Sequence, residues 1–294
     1  NCQANTKLMQ NFPFNLTVSN EETDRLIESN PEYLNQVDFW NKNILFYEEV
    51  PEKYKDLLVE KFPESLNQVD DDGYNLLFYE EISEKYKDLL VERFPESLKQ
   101  VNNWNKNILF YENVPEKYKD LLVEKFPESI EQVDKFNRNI LFYEDVSEKY
   151  KDLLVERFPE SLKQIDDWDK NILFHEKVPE KYKDLLVKKF PESLNQVDNQ
   201  RKNILFYKEV PEKYKDLLVE KFPESLKQIN VWGNNILFFE EVPEKYKDLL
   251  VEKFPEFLKQ VDKWGKNILF YREVPEKYKD LLVAKFPKSL KQIN

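Results

Sequence analysis

Few side chains in this sequence have the chemistry of a catalyst. Histidine occurs once, at His175, and cysteine occurs once, at Cys2. Nucleophilic catalysis needs a nucleophile, a histidine and an acid held together, and two lone residues far apart in the sequence do not supply that set. The sequence contains no glycine-rich phosphate loop and no cluster with the spacing of metal ligands. We therefore expect no catalysis, no cofactor and no bound metal.

Glutamate is abundant, but it recurs in register with lysine, a pattern typical of a solvated helix face. A pair of acids for hydrolysis is the functional alternative. His175 stands where the equivalent positions usually hold tyrosine, as at Tyr47, Tyr79 and Tyr111. This pattern favours a surface substitution over a catalytic histidine.

The elements that carry these residues form a strict repeat of 32 residues, and residues 102–133 show its motif most clearly. A period between 20 and 50 residues predicts a stacked array in which each unit contacts its neighbours. No insertion or deletion interrupts the array between 38 and 293. Eight full units begin at Asp38, Asp70, Asn102, Asp134, Asp166, Asp198, Asn230 and Asp262.

Each unit is predicted to contain a turn and two helices. The fourth position of the turn is Gly, Asn or Asp in seven units, which predicts a left-handed backbone there, with Arg201 as the strained exception. Asn43 is a natural N-cap for a first helix that we expect to run to about Val50. Pro51 then opens the second helix, and Phe62 before a proline ends it.

Two segments precede the full units. Residues 1–18 match no repeat and are interpreted as an arm, which holds Cys2 and a weak glycosylation sequon at Asn15. Residues 19–37 are a half repeat in which Glu22, Arg25 and Asn30 replace apolar residues, as expected of a polar terminal cap. The last unit makes no such exchange, so we expect an uncovered apolar surface on its second helix, around Leu282.

An aromatic residue occupies the third turn position of six units, and all five tryptophans of the chain lie there. The rings either pack on the neighbouring turn or present an aromatic strip to a partner. The turn and the end of the first helix also vary between units, whereas Glu-Lys-Tyr-Lys-Asp-Leu-Leu-Val in the second helix is identical in all eight. The candidate partner-binding residues are Trp40, Trp104, Phe136, Trp168, Trp232 and Trp264 of the turns, together with Tyr47, Tyr111, His175, Lys208 and Arg272. Lys55 and Lys119 of the invariant helix are expected to lie on the opposite, convex face.

The unit resembles the ankyrin repeat over about residues 19–294. Asp262-Lys263-Trp264-Gly265-Lys266-Asn267-Ile268-Leu269-Phe270 follows the order of the ankyrin turn and first helix, although phenylalanine replaces the motif histidine and Asn-Ile replaces Thr-Pro. Leu281-Leu282-Val283 takes the place of the second helix, and Ser289 to Ile293 that of the return loop. The resemblance implies an all-α solenoid of helix-turn-helix units and a protein-binding role without a cofactor. A tetratricopeptide-like array of helical hairpins is the alternative fold.

The function expected from these features is a non-enzymatic scaffold that binds a protein through its concave face and turn tips. A structural module that self-associates through its C-terminal repeat is the alternative. The net charge of −12 argues against nucleic acid, and no apolar run reaches the ~18 residues of a membrane span. Because the sequence opens with Asn-Cys-Gln, either a signal peptide has been removed or the chain is trimmed. We favour a secreted protein over a cytoplasmic one, including one in a host cytoplasm.

Overall fold

The computed structural model describes residues 21–293, and the described residues form α-helices and 3₁₀ helices with no β-strand. Cys2, the sequon at Asn15 and the arm at 1–18 lie outside the described residues. The elements recur with the 32-residue period of the sequence, so the fold is a helical repeat solenoid. The nine α-helices of the described chain are α1 Glu21–Ser29, α2 Glu52–Lys61, α3 Glu84–Arg93, α4 Glu116–Lys125, α5 Glu148–Arg157, α6 Glu180–Lys189, α7 Glu212–Lys221, α8 Glu244–Lys253 and α9 Glu276–Lys285.

Two short 3₁₀ helices accompany each α-helix of the full repeats. The one before it follows the turn, and these are Ile44–Phe46, Leu76–Phe78, Ile108–Phe110, Ile140–Phe142, Ile172–Phe174, Ile204–Phe206, Ile236–Phe238 and Ile268–Phe270. The one after it begins at a proline, and these are Pro63–Asn67, Pro95–Lys99, Pro127–Glu131, Pro159–Lys163, Pro191–Asn195, Pro223–Lys227, Pro255–Lys259 and Pro287–Ile293; in the half repeat, Pro31–Asn35 follows α1 in the same way.

The first helix of each repeat is a single 3₁₀ turn, so the prediction that it runs to about Val50 is wrong. The Asn43 side chain caps it as expected, accepting a hydrogen bond from the Leu45 amide at 3.0 Å. The helix then stops, because Tyr47 takes an extended backbone with φ −114° and ψ 113°. Pro51 follows four residues later and disfavours helix at the residue before it. A segment this short cannot sustain an α-helix by local bonding.

The second helix agrees closely with its sequence signals. It begins at Glu52 after Pro51, whose φ of −53° is the value that the proline ring imposes. It ends at Lys61, and Phe62 before Pro63 leaves the helical region with φ −132°. The turn confirms the predicted left-handed position, since Asn41 has φ 63° and the exceptional Arg201 has φ 62°.

The described residues divide into two compact units. The first extends to Lys135 and takes in Asp145–Leu154, and the second contains Phe136–Glu144 and continues from Val155. Within each unit the core consists of the 3₁₀ segment, one face of the α-helix and the leucine after it, for example Ile44, Leu58 and Leu66, all fully buried.

Side chains of the invariant helical segment join consecutive repeats. In the first unit, Lys85 Nζ lies 2.6 Å from Glu52 Oε1 and from Asp56 Oδ1, and the Tyr86 hydroxyl donates to Asp56 at 2.9 Å. In the second unit, the Tyr246 hydroxyl donates to Asp216 at 2.8 Å in the same way. Four residues of the segment thus have a partner in an adjacent repeat, which explains why glutamate, lysine, tyrosine and aspartate recur there without change.

The half repeat folds as α1 followed by the 3₁₀ helix Pro31–Asn35. Glu22, Arg25 and Asn30 are exposed, while Ile27 is buried. Its Asp24 accepts hydrogen bonds from Lys53 at 2.6 Å and from the Tyr54 hydroxyl at 2.7 Å. This segment therefore presents polar side chains outward. It joins the first full repeat through the same lysine–aspartate and tyrosine–aspartate bonds that connect the full repeats.

The last repeat does not expose the residues that the sequence indicated. Tyr278 and Leu282 are buried, and Leu281 and Phe286 are half-buried like their equivalents in other repeats. The core position that is exposed in this repeat is Phe270, at 40%, whereas the equivalent phenylalanines of the other repeats are 4–8% exposed. The preceding equivalent, Phe238, is covered by the edge of the Tyr271 ring at 5.2 Å. No helix in the described chain is long and apolar enough to cross a membrane.

Candidate binding surface

The turn holds its aromatic side chain outward through a set of local hydrogen bonds. Asp38 Oδ1 accepts from the amides of Trp40 and Lys42, both at 2.9 Å, and Asn41 closes the turn in the left-handed region. The Trp40 carbonyl accepts from the amide of Asp71 in the next turn at 3.0 Å. Because the backbone polar groups are satisfied in this way, the indole ring is not required for the structure of the turn.

The predicted aromatic column is present but does not form one continuous stack. Phe136 and Trp168 stack at 5.8 Å with an interplanar angle of 23°, and their backbones are joined by the bond from Asp167 to Phe136 at 3.1 Å. Elsewhere a lysine lies near an indole, as Lys263 does 4.5 Å from the Trp264 ring. Among the candidates, Trp232 and Phe136 are half-buried, and the exposed tryptophans are Trp40, Trp104, Trp168 and Trp264. Some of the rings therefore pack on neighbouring turns, as the first interpretation predicts, and four of the tryptophans remain exposed.

Tyr47 anchors the end of the 3₁₀ helix to the turn. Its hydroxyl donates to Asp38. Burial is the larger cause that raises the pKa of Tyr47 well above its ordinary value, and this hydrogen bond raises it further. Tyr111 lies in the same place and is bound by the side-chain amide of Asn102. The tyrosine ring also covers the preceding repeat, as Tyr79 does with Phe46 at 5.4 Å.

His175 replaces this tyrosine and makes the equivalent contacts. Its Nε2 lies 3.0 Å from Asp166 Oδ2, and its ring meets Phe142 edge-on at 4.9 Å. Burial works to raise the pKa of Asp166, but the bonds from His175 and from the amides of Lys170 and Trp168 outweigh it, so the pKa is lowered. This histidine occupies the structural position of the tyrosine.

A cleft of about 360 Å³ brings two candidate residues together in the first unit. Trp40 and Tyr47 line it with Phe46 and Tyr79. Its charged rim is formed by Lys42, Glu48, Glu49, Asp72 and Glu81. Lys42 lies over the Tyr79 ring at 4.5 Å from the centroid. Aromatic walls with a charged rim are the composition of protein-binding surfaces.

A neighbouring cavity of about 370 Å³ shares Glu48, Glu49 and Glu81 with this cleft and is also lined by Lys55. Lys55 and Lys119, which were expected on the opposite, convex face, are both buried, and Lys55 lines a cavity beside the predicted site. Burial lowers the pKa of Lys55, and the nearby carboxylates act in the opposite sense. Sequence reasoning missed this lysine, although its presence in all eight repeats was a signal.

The remaining candidates lie in the second unit. Lys208 and Arg272 are exposed at the position that Glu48 occupies in the first repeat, and they place positive charge there. The described residues contain no group of His, Cys, Asp and Glu arranged to hold a metal ion. Comparison with protein-family models finds no matching family, and comparison with curated proteins finds no significant match.

Proposed function

We propose that the chain is a non-enzymatic scaffold of ankyrin-like repeats that binds a protein partner through the turns and the 3₁₀ segments. The observation that carries the proposal is the cleft in which Trp40 and Tyr47 meet beside a charged rim. Half-exposed indole rings that the turn does not need for its own structure fit the role of binding anchors, because tryptophan and tyrosine are enriched among the few residues that dominate binding energy in protein interfaces. The resemblance of the repeat to ankyrin units supports the same role.

The test compares capture of proteins from the native source by three forms of the chain. Trp40→Ala with Trp104→Ala removes two exposed indoles of the first unit. Glu92→Ala with Glu124→Ala removes exposed side chains from the last turns of α3 and α4, outside both cavities. A partner retained by the unmodified chain and the glutamate variant but lost by the tryptophan variant supports the proposal. Equal capture by both variants, with unchanged melting temperatures, refutes it.

A second candidate function is self-association through the last repeat, favoured by the exposure of Phe270 and of Leu290, at 45%. Such exposed apolar side chains are suited to contact a second copy. Light scattering over a concentration series should show mass increasing with concentration, and Phe270→Ser should reduce the increase. A constant monomeric mass for the unmodified chain excludes this function.

A further inference from the structure

Carboxylates form an acidic strip along the first unit, defined as Glu48, Glu49, Glu80, Glu81 and Glu112. All five are exposed and lie two or three residues after the end of a 3₁₀ helix. The equivalent positions of the second unit include Lys177, Lys208 and Arg272, so the negative charge is less uniform there. The strip adjoins the cleft of Trp40, because Glu48, Glu49 and Glu81 line both cavities.

A column of lysines, at the position of Lys55 in each repeat, lies beside this strip, and in the last repeat the equivalent Lys279 donates to Glu276 at 3.0 Å. Lys55, Lys87 and Lys119 are 8%, 1% and 5% exposed, and none of them donates a side-chain hydrogen bond to a described residue. The other polar residues of the invariant segment have partners in an adjacent repeat; Lys85, for example, pairs with Glu52 and Asp56. The stems of Lys55, Lys87 and Lys119 are buried, but no Nζ of these lysines is an enclosed atom without a partner, so each ammonium reaches solvent and can donate to a bound molecule.

The cavity that Lys55 lines restricts the chemistry of its ligand. Glu48, Glu49 and Glu81 line it together with Lys55, and Glu52, which pairs with Lys85 at 2.6 Å, also acts electrostatically on Lys55. Three carboxylates against one ammonium repel phosphates and acidic peptides. A ligand group that contacts the ammonium directly must accept a hydrogen bond, and a simple polyamine carries no acceptor. A cationic ligand that also carries acceptors satisfies both conditions.

We propose that the acidic strip binds an extended basic segment of a polypeptide. Its lysine or arginine side chains pair with the glutamates, and its main-chain carbonyls accept hydrogen bonds from the buried lysines. This inference rests on the proposed protein-binding function and specifies the partner of the same surface.

The repeat spacing sets the pattern of the basic residues. Packed helices lie about 8–10 Å apart, and an extended chain advances about 3.3 Å per residue. One repeat therefore spans about three residues of the ligand. A basic residue at every third position meets each repeat in the same way, whereas clustered basic residues do not.

The first experiment measures the affinity of fluorescent peptides for the whole chain at low salt. The probe is (Lys-Ser-Pro)₄, whose prolines keep it extended. The controls are Lys₄ followed by (Ser-Pro)₄, (Glu-Ser-Pro)₄ and the polyamine spermine as a competitor. We expect the spaced peptide to bind at least about fivefold more tightly than the clustered one, the equivalent of one charge pair. Binding of the glutamate peptide, displacement by spermine at equal concentration or no binding of the spaced peptide overturns the inference.

The second experiment separates a built site from general attraction of charge. Lys55→Met keeps the buried stem and removes a positive charge, so bulk electrostatics predicts tighter binding of a cationic peptide. The proposed carbonyl contact predicts the reverse, about a fivefold loss, as for one hydrogen bond. Methionine suits the buried site, so the variant should keep its melting temperature.

Lys215→Met is the matched control. Lys215 is 1% exposed like Lys87, but its repeat carries Lys208 in place of a strip glutamate, so the affinity should change less than twofold. Unchanged or tighter binding by Lys55→Met refutes the inference. If the peptides fail to bind while a native partner still depends on Trp40 and Trp104, the inference fails and the proposed function stands.

Discussion

Replacing Phe239 by tyrosine should stabilise the seventh repeat. Asn230 begins this repeat, and its Oδ1 accepts from the amides of Trp232 and Asn234, both at 3.0 Å. Its Nδ2 is buried and has no partner, because phenylalanine stands where most repeats have tyrosine. In the third repeat the same asparagine position donates to the tyrosine hydroxyl, between Asn102 and Tyr111.

The expected gain follows from one missing hydrogen bond. The cost of burying the Asn230 amide is already present, and a net hydrogen bond contributes about 1 kcal/mol. The ring does not need to move, because Phe206 and Phe239 meet at 5.2 Å and 81°, and Phe174 and Tyr207 meet at 5.3 Å and the same angle. Because the ring is half-buried, the proton of the new hydroxyl can donate to water. We therefore expect Phe239→Tyr to stabilise the repeat by about 1 kcal/mol.

Amide hydrogen exchange is the appropriate assay, because a repeat array can open locally and a single unfolding free energy is then undefined. Protection of the Trp232 and Asn234 amides should rise about fivefold, the equivalent of 1 kcal/mol. Tyr111→Phe is the reverse substitution and should lower the protection of Trp104 by a similar factor.

The same substitution in an Asn230→Ala background tests the assigned cause. If the hydroxyl acts through Asn230, Phe239→Tyr should give no gain there, and the double-mutant cycle should yield the full coupling energy. An equal gain with and without Asn230, or none in the unmodified chain, refutes the reasoning.

Arg201→Asn should raise amide protection in the sixth repeat about fivefold, the equivalent of about 1 kcal/mol, since asparagine tolerates the left-handed backbone and its equivalent Asn137 donates to the Ile165 carbonyl at 2.8 Å. Asn203→Ala should lower amide protection in the sixth repeat by the equivalent of about 2 kcal/mol, because it removes a fully buried cap that binds the Leu205 amide; unchanged protection would contradict the capping role. Burial raises the pKa of Tyr246 above its ordinary value, and the hydrogen bond to Asp216 raises it further, so its stabilising contribution is complete below about pH 10 and is lost above it as the unfolded tyrosine ionises. Tyrosinate absorbance should therefore appear together with loss of helical circular dichroism, and tyrosinate forming in a still-helical chain would contradict this.

The sequence by itself determined the features that depend on a few consecutive residues. The 32-residue period, the left-handed turn position, the Asn43 cap and the end of α2 before Pro63 are all present as predicted. Each follows from the backbone preference or hydrogen-bonding capacity of one residue and its near neighbours. For the binding surface, the sequence indicated that Trp40 and Tyr47 are candidates, and both line one cleft.

Only the tertiary structure decided what depends on the next repeat. The segment after Asn43 ends as a 3₁₀ turn, with the Tyr47 hydroxyl anchored to Asp38 nine residues earlier, which no helical periodicity indicates. Lys55 is buried although it belongs to a charged sequence pattern, and Phe270 is exposed although it belongs to a core pattern. Burial of these side chains is set by contacts about one period away along the chain, and local sequence patterns carry little information about contacts at that distance.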